Sequence, residues 1–256
     1  MSFLSLVAVE LKKIRRSRIF LILALSSVIL WLPSVLNAHL NFTMQDVGIS
    51  PEHNFFIQGF MGLAWFMFPG SMVVVTVLLT QLERNDRGML KMLSLPVSAA
   101  KLCLAKFAVL LIFAVIDFLL SAVLYYVSAA IASRTQSYAF TLSPLFVFEA
   151  LGPVLLSALP MLSVFFALSV CVQTPVFSIG TGLASIVPSV LVINTKAWFA
   201  YPMAYPFFVI SAKYSRLAEN FSAPEPELIP WLPTAGLITL FCLLLSCSRF
   251  GRAERR

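Results

Sequence analysis

Residues 82–106 hold the groups best placed to do chemistry in this chain. Glu83, Arg84, Asp86 and Arg87 crowd the start of the stretch, Lys91 lies in its middle, and Lys101 and Lys106 close it. Apolar runs flank it on both sides, roughly at 57–81 and 107–131. A charge at the centre of a membrane helix costs about 2.5–3.5 kcal/mol, so this island must protrude from any bilayer that the flanking runs enter. Its chemistry is recognition. A short helix opened by Asn85 or Asp86 would set Met89, Leu90, Met92 and Leu93 on one face and charges on the other. Such a helix suits a groove on a soluble protein, and methionine adapts well in that contact. The competing reading is a solvated charged loop with a few membrane-facing apolar residues.

Asp117 is the one acid deep inside an apolar run, while Glu149 lies near the end of another. An acid at membrane depth is a functional candidate by default. Asp117 either handles a proton or substrate, or accepts hydrogen bonds from Ser, Thr or Tyr125 of neighbouring helices. A proton-driven carrier usually needs more internal ionisable groups than this. Enzymatic signatures are lacking: the chain has no His-Glu-x-x-His, no Gly-x-x-x-x-Gly-Lys-Ser/Thr and no Gly-x-Ser-x-Gly. No catalytic residue is assigned. His39 and His53, with Asp46 and Glu52 nearby, have metal-binding side chains, but ordinary loop polarity is the simpler reading, and no metal ligand is assigned. Cys103, Cys171, Cys242 and Cys247 lack a Cys-x-x-Cys spacing and read as small hydrophobes.

The elements that must position these groups follow from composition. The chain is 60% hydrophobic and only 11% charged, where soluble domains carry about 25% charged residues. Its 256 residues leave room for about six spans of about 20 residues and no separate soluble domain. The predicted fold is therefore all-α: a single transmembrane domain over 1–256 with six membrane helices. The spans fall at about 19–38, 56–81 (interrupted by Pro69-Gly70), 107–132, 144–172 (with Pro153 and Pro160), 176–194 (with Pro188) and 230–248. Residues 1–18 read as an amphipathic elbow helix lying on membrane lipid. Leu4, Val7, Leu11 and Ile14 form its apolar stripe, and Glu10, Lys12, Lys13, Arg15 and Arg16 occupy the rest of its second half. The run after Arg18 is longer than the apolar core of a signal peptide, and Leu36 is too large for a cleavage site ending at Ala38, so this run is expected to stay as an anchored span.

Orientation follows from the basic residues. Fourteen of the eighteen Lys and Arg residues fall in three places: 12–18, the island from Arg84 to Lys106, and the tail from Arg249. Only Arg134, Lys196, Lys213 and Arg216 lie in the segments between. The positive-inside rule then puts both termini and residues 83–101 in the cytoplasm of a multi-pass protein of a bacterial cell membrane, and 195–229 outside. The net charge of +7 is thus a topology signal, and no nucleic-acid partner is implied.

The outer segment 195–230 is too short in apolar run to span, at about 13 residues from Trp198 to Ile210, where roughly 17 are needed. Its aromatics nonetheless disfavour water, and Pro202 and Pro206 forbid one continuous helix. A broken, re-entrant path between the fifth and sixth helices is expected. There Trp198, Tyr201, Pro202, Tyr205 and Pro206 would line an outer gate. The plainer reading makes them an interfacial aromatic belt.

The pattern Glu-x-x-x-x-Gly-x-x-Lys-x-x-x-x-Pro-Val-Ser-x-x-x-x-x-x-x-Lys, carried by Glu83, Gly88, Lys91, Pro96, Val97, Ser98 and Lys106 after an amphipathic helix and one span, resembles the membrane subunit of ABC-2 type exporters. The resemblance implies that 83–101 is the cytoplasmic coupling segment, with Glu83, Arg84, Asp86, Arg87, Gly88, Met89 and Lys91 at the ATPase contact. It also implies ABC ATPase subunits as partners, ATP and Mg held on them and not on this chain, and a second permease chain, identical or not. The Trp198–Pro206 region is similar to the Pro-Trp-Ser-Tyr-Pro region of lantibiotic-protection permeases, departing from it by lacking the flanking Pro and by having Ala-Tyr-Pro. That similarity implies expulsion of an amphipathic antimicrobial peptide or a lipid-like substrate, by a chain that is not itself an enzyme. The alternative is a stand-alone membrane carrier, or an immunity protein that sequesters a peptide with no ATPase.

Overall fold

The computed structural model describes residues 2–14, 17–84, 98–172, 174–218 and 228–250, with side chains at all of these except 44–47 and 82–84. Every regular element among them is helical. In chain order they are α1 (Phe3–Ile14), α2 (Ile19–Leu36), a 3-10 stretch (Ala38–Val47) and α3 (Pro51–Gly62), which runs through a π turn (Leu63–Met67) into α4 (Phe68–Arg84). Next come α5 (Ala99–Gln136), α6 (Pro144–Ser157), α7 (Leu159–Cys171), α8 (Pro175–Ile186) and α9 (Ser189–Val192). Two 3-10 turns (Trp198–Ala200 and Pro202–Ala204), α10 (Tyr205–Leu217) and α11 (Leu228–Arg249) complete it.

Five helical stretches are long and apolar enough to cross a membrane, and a sixth if the bent pair α6–α7 is one span. The expected all-α membrane architecture is correct, and the spans fall where the apolar runs place them. Prolines set the irregularities. Pro69 has no N–H for the carbonyl four residues back, and the chain answers with a π turn in which Phe68 N–H reaches back five residues to Leu63 O. Pro160 opens α7 after a 41° bend at Ala158. Pro188 separates α8 from α9.

The third span begins earlier than its apolar run. Ser98 caps α5, its Oγ accepting from Lys101 N–H at 3.4 Å, and the helix continues for 38 residues. At 1.5 Å per residue it is roughly 57 Å long, nearly twice the roughly 30 Å of a bilayer's hydrocarbon core. Both ends of α5 must therefore leave the membrane.

Aromatic side chains fill the core of the half remote from the charged island. Trp31 of α2 packs on Phe55 and Phe60 of α3 and on Tyr125 of α5, with ring centroids 5.9, 5.2 and 5.5 Å away. The approach is close enough to need glycine: a Cβ at Gly59 would stand 2.4 Å from the Trp31 ring. Small residues at such crossings let membrane helices touch. Tyr125 also pins the turn after α5, its hydroxyl donating to Phe140 O at 3.1 Å and accepting from Leu142 N–H at 3.0 Å.

Candidate functional site

The charged island runs in sequence from the end of α4 into α5. Glu83 and Arg84 are the last two residues of α4. Asp86, Arg87, Gly88, Met89 and Lys91 lie outside the described residues, as does the expected cap at Asn85 or Asp86. The two helices are side by side at this end, because Lys106 Nζ of α5 reaches the carbonyl of Leu79 on α4 at 3.5 Å. α4 and α5 therefore stand as a helical hairpin at this end, and residues 85–97 lie outside the described residues.

That hairpin is tied to α1 by a pairing that sequence reasoning missed. Glu10 Oε2 accepts from Lys106 Nζ at 2.6 Å, and Glu10 Oε1 accepts from Lys13 Nζ at 2.6 Å. The side chains of Glu10 and Lys106 are only 4% and 2% exposed. Burial opposes ionisation of Glu10, but the Lys106 and Lys13 ammonium groups outweigh it and hold the carboxyl below its ordinary value. The inward face of α1 is thus Leu6, Val7, Glu10 and Ile14, while Leu4, expected in the apolar stripe, is exposed. The elbow helix does not merely lie beside the bundle. It is locked onto the base of the island's hairpin.

Farther along α5, Asp117 Oδ2 accepts from Ser71 Oγ at 2.9 Å, the same hydroxyl being shared with Phe68 O. One turn on, Ser121 Oγ lies 3.2 Å from Ser27 Oγ of α2. Asp117 is buried, and its Oδ1 has no protein partner. The hydrogen-bond donor is Ser71 and not Tyr125, whose hydroxyl is engaged elsewhere. The bond joins α5 to α4 just past the π turn and Pro69, where α4 is least regular.

The described part of the segment expected to form an outer gate, 195–218, consists of short helices broken at its prolines. Trp198 stacks on Phe208 at 3.8 Å and 14°, and both meet Trp231 at the start of α11. Tyr205 is fully buried and donates to Phe199 O, and burial pushes its phenol up to about 12. Tyr201, half-buried, donates to Ser185 O of α8. Pro202 and Pro206 are buried. α10 then runs back along α3, with Phe207 beside Trp65 at its start and Lys213 Nζ 4.7 Å from the Phe146 ring near its end. In this chain alone, these residues fasten the segment to the bundle, and Trp198 and Tyr201 keep part of their surface open.

The sequence family described as ABC-2 family transporter protein matches residues 6–193, which runs from the elbow helix past the fifth span. No curated protein and no solved structure matches the chain significantly.

Proposed function

The chain belongs to the ABC-2 family of transporter proteins and is a membrane-spanning permease subunit of an ABC transporter; within that role we propose that it exports an amphipathic peptide or a lipid-like molecule out of the membrane. The family match supports the transport role, and the observation that carries the substrate class is the stacked aromatic cluster of Trp198, Tyr205 and Phe208, which suits an apolar flank. A chain with no nucleotide motif of its own must draw energy from an ATPase partner, and ATP and Mg sit on that partner. Docking is assigned to Glu83, Arg84, Asp86, Arg87, Gly88, Met89 and Lys91. A second permease chain completes the translocation path. Trp198 and Tyr201, with Pro202, Tyr205 and Pro206 behind them, form its outer rim.

The amphipathic-peptide reading is tested in cells challenged with a lantibiotic. Co-expression of this chain and its ATPase should protect them, and an ATPase unable to hydrolyse ATP should abolish the protection. Full protection by this chain without any ATPase would favour the stand-alone immunity reading instead.

Orientation follows from the basic residues: both termini and the island are cytoplasmic, and residues 195–229 are outside. On a cysteine-free background, an impermeant thiol reagent added outside should label a cysteine at position 216 and spare one at 87. The reverse pattern overturns the topology.

A further inference from the structure

At the end of the bundle remote from the island, a cavity of about 250 Å³ opens between the last turn of α2, the 3-10 stretch and the start of α3. Four of its seven lining residues carry carboxamides (Asn37 of the α2 cap, Asn41, Asn54 and Gln58) and none is charged; Ser34 lies beside them, and Leu40 and the Phe55 ring help make most of the surface apolar. The amides form a relay. Asn41 Nδ2 donates to Ala38 O at 2.8 Å, Asn54 Nδ2 donates to Asn41 Oδ1 at 2.9 Å, and Gln58 Nε2 donates to Asn54 Oδ1 at 3.4 Å. Asn41 and Asn54 are buried, at 7% and 3% exposure, while Asn37 and Gln58 stand exposed at the mouth.

Each carboxamide has two N–H donors and an oxygen with two lone pairs, so the relay leaves donors and acceptors over. The relay gives both amide atoms of Asn41 and Asn54 a partner, so what they offer a ligand is the second N–H and second lone pair of each, beside the Asn37 and Gln58 amides at the mouth. We propose that this cavity binds a neutral peptide backbone, taking one peptide bond between the carboxamides with the neighbouring side chain against Phe55.

The chemistry selects that ligand. With no charged group in the lining, an ion gains nothing on entry and loses its hydration. A carboxamide presents a donor and an acceptor in one plane, and a peptide group offers the complementary pair. The volume lies just below the roughly 300 Å³ at which ligand pockets begin, so it admits a piece of a chain and not a whole folded molecule. The identity of the peptide as exported substrate rests on the export reading; the binding itself does not.

The test is saturation-transfer NMR on the full chain in phosphatidylcholine nanodiscs, without ATPase or ATP. The probe is the capped dipeptide N-acetyl-alanyl-alaninamide, with maltose as a hydroxyl-rich comparison. The native chain should saturate the dipeptide and not maltose. The double variant Asn37→Leu, Gln58→Leu changes only side chains at the mouth, so it should stay folded yet bind about twenty-five-fold more weakly, given about fivefold for each of the two net hydrogen bonds lost. Equal saturation of native and double-variant chains, or of dipeptide and maltose, overturns the proposal. Because no transport is involved, an export failure with dipeptide binding intact would count against the export reading and leave the site standing.

Discussion

Replacing Glu10 with Ala is expected to remove most of the folded, membrane-inserted chain. The substitution takes from the Lys106 ammonium, buried at 2% exposure, the carboxylate that it meets at 2.6 Å, while the Leu79 carbonyl stays at 3.5 Å. Breaking a buried ion pair from one side costs about 3–5 kcal/mol, a large share of the marginal stability of a folded protein. Lys106→Ala should do comparable damage. The double variant Glu10→Leu, Lys106→Leu should recover much of the yield, because well-packed apolar residues replace a buried pair at little or no cost. Thermal unfolding in detergent reads all three. Single variants as stable as the native chain would show that the pair does not hold α1 to the hairpin. The pH dependence has a fixed sign. The Glu10 carboxyl lies below its ordinary 4.5 in the folded protein, so its stabilising effect is complete above that value. It is lost as pH falls through the depressed folded value. Glu10→Gln should flatten that acid limb.

Charge reversal in the island should act on function and spare the fold. Glu83 is next to last in α4, and Arg87 follows in the segment proposed to dock the ATPase. Like charges brought together at an interface cost several kcal/mol, so Glu83→Lys or Arg87→Glu should lower export more than about tenfold, since about 1.4 kcal/mol is already a factor of ten. The variant chain should insert normally and unfold at the native temperature. The ATPase should still hydrolyse ATP while export fails. Reversed variants that keep both full ATPase association and full export would remove the contact from these residues.

The five long apolar helices, and a sixth span where the bent pair α6–α7 counts as one, were legible because hydrocarbon demands long apolar runs. The breaks in the second, fourth and fifth spans were legible from Pro69, Pro160 and Pro188, whose missing N–H acts locally. The start of the third span was not. Lys101 and Lys106 look like loop residues by hydropathy, yet both lie within α5, one of them neutralised by a partner 96 residues away in sequence. A usable signal existed: Glu10, the one acid of α1, repeats at four-residue spacing with Leu6 and Ile14 on the face that packs inward. An acid on an apolar stripe asks for a buried cation. Which lysine supplies it depends on tertiary contact and is not written in local sequence. The carboxamide cavity was hidden for the same reason, since Asn37, Asn41, Asn54 and Gln58 come together only when the 3-10 stretch folds back on α3.

That this permease works through a separate ATPase is tested most directly by purifying the tagged chain from membranes of cells that carry its gene and measuring ATP hydrolysis in the eluate. The account predicts that an ABC ATPase co-elutes with vanadate-sensitive hydrolysis, and that the hydrolysis rises when an amphipathic peptide substrate is added. A chain that elutes alone, hydrolyses nothing and still moves substrate across reconstituted vesicles would contradict it.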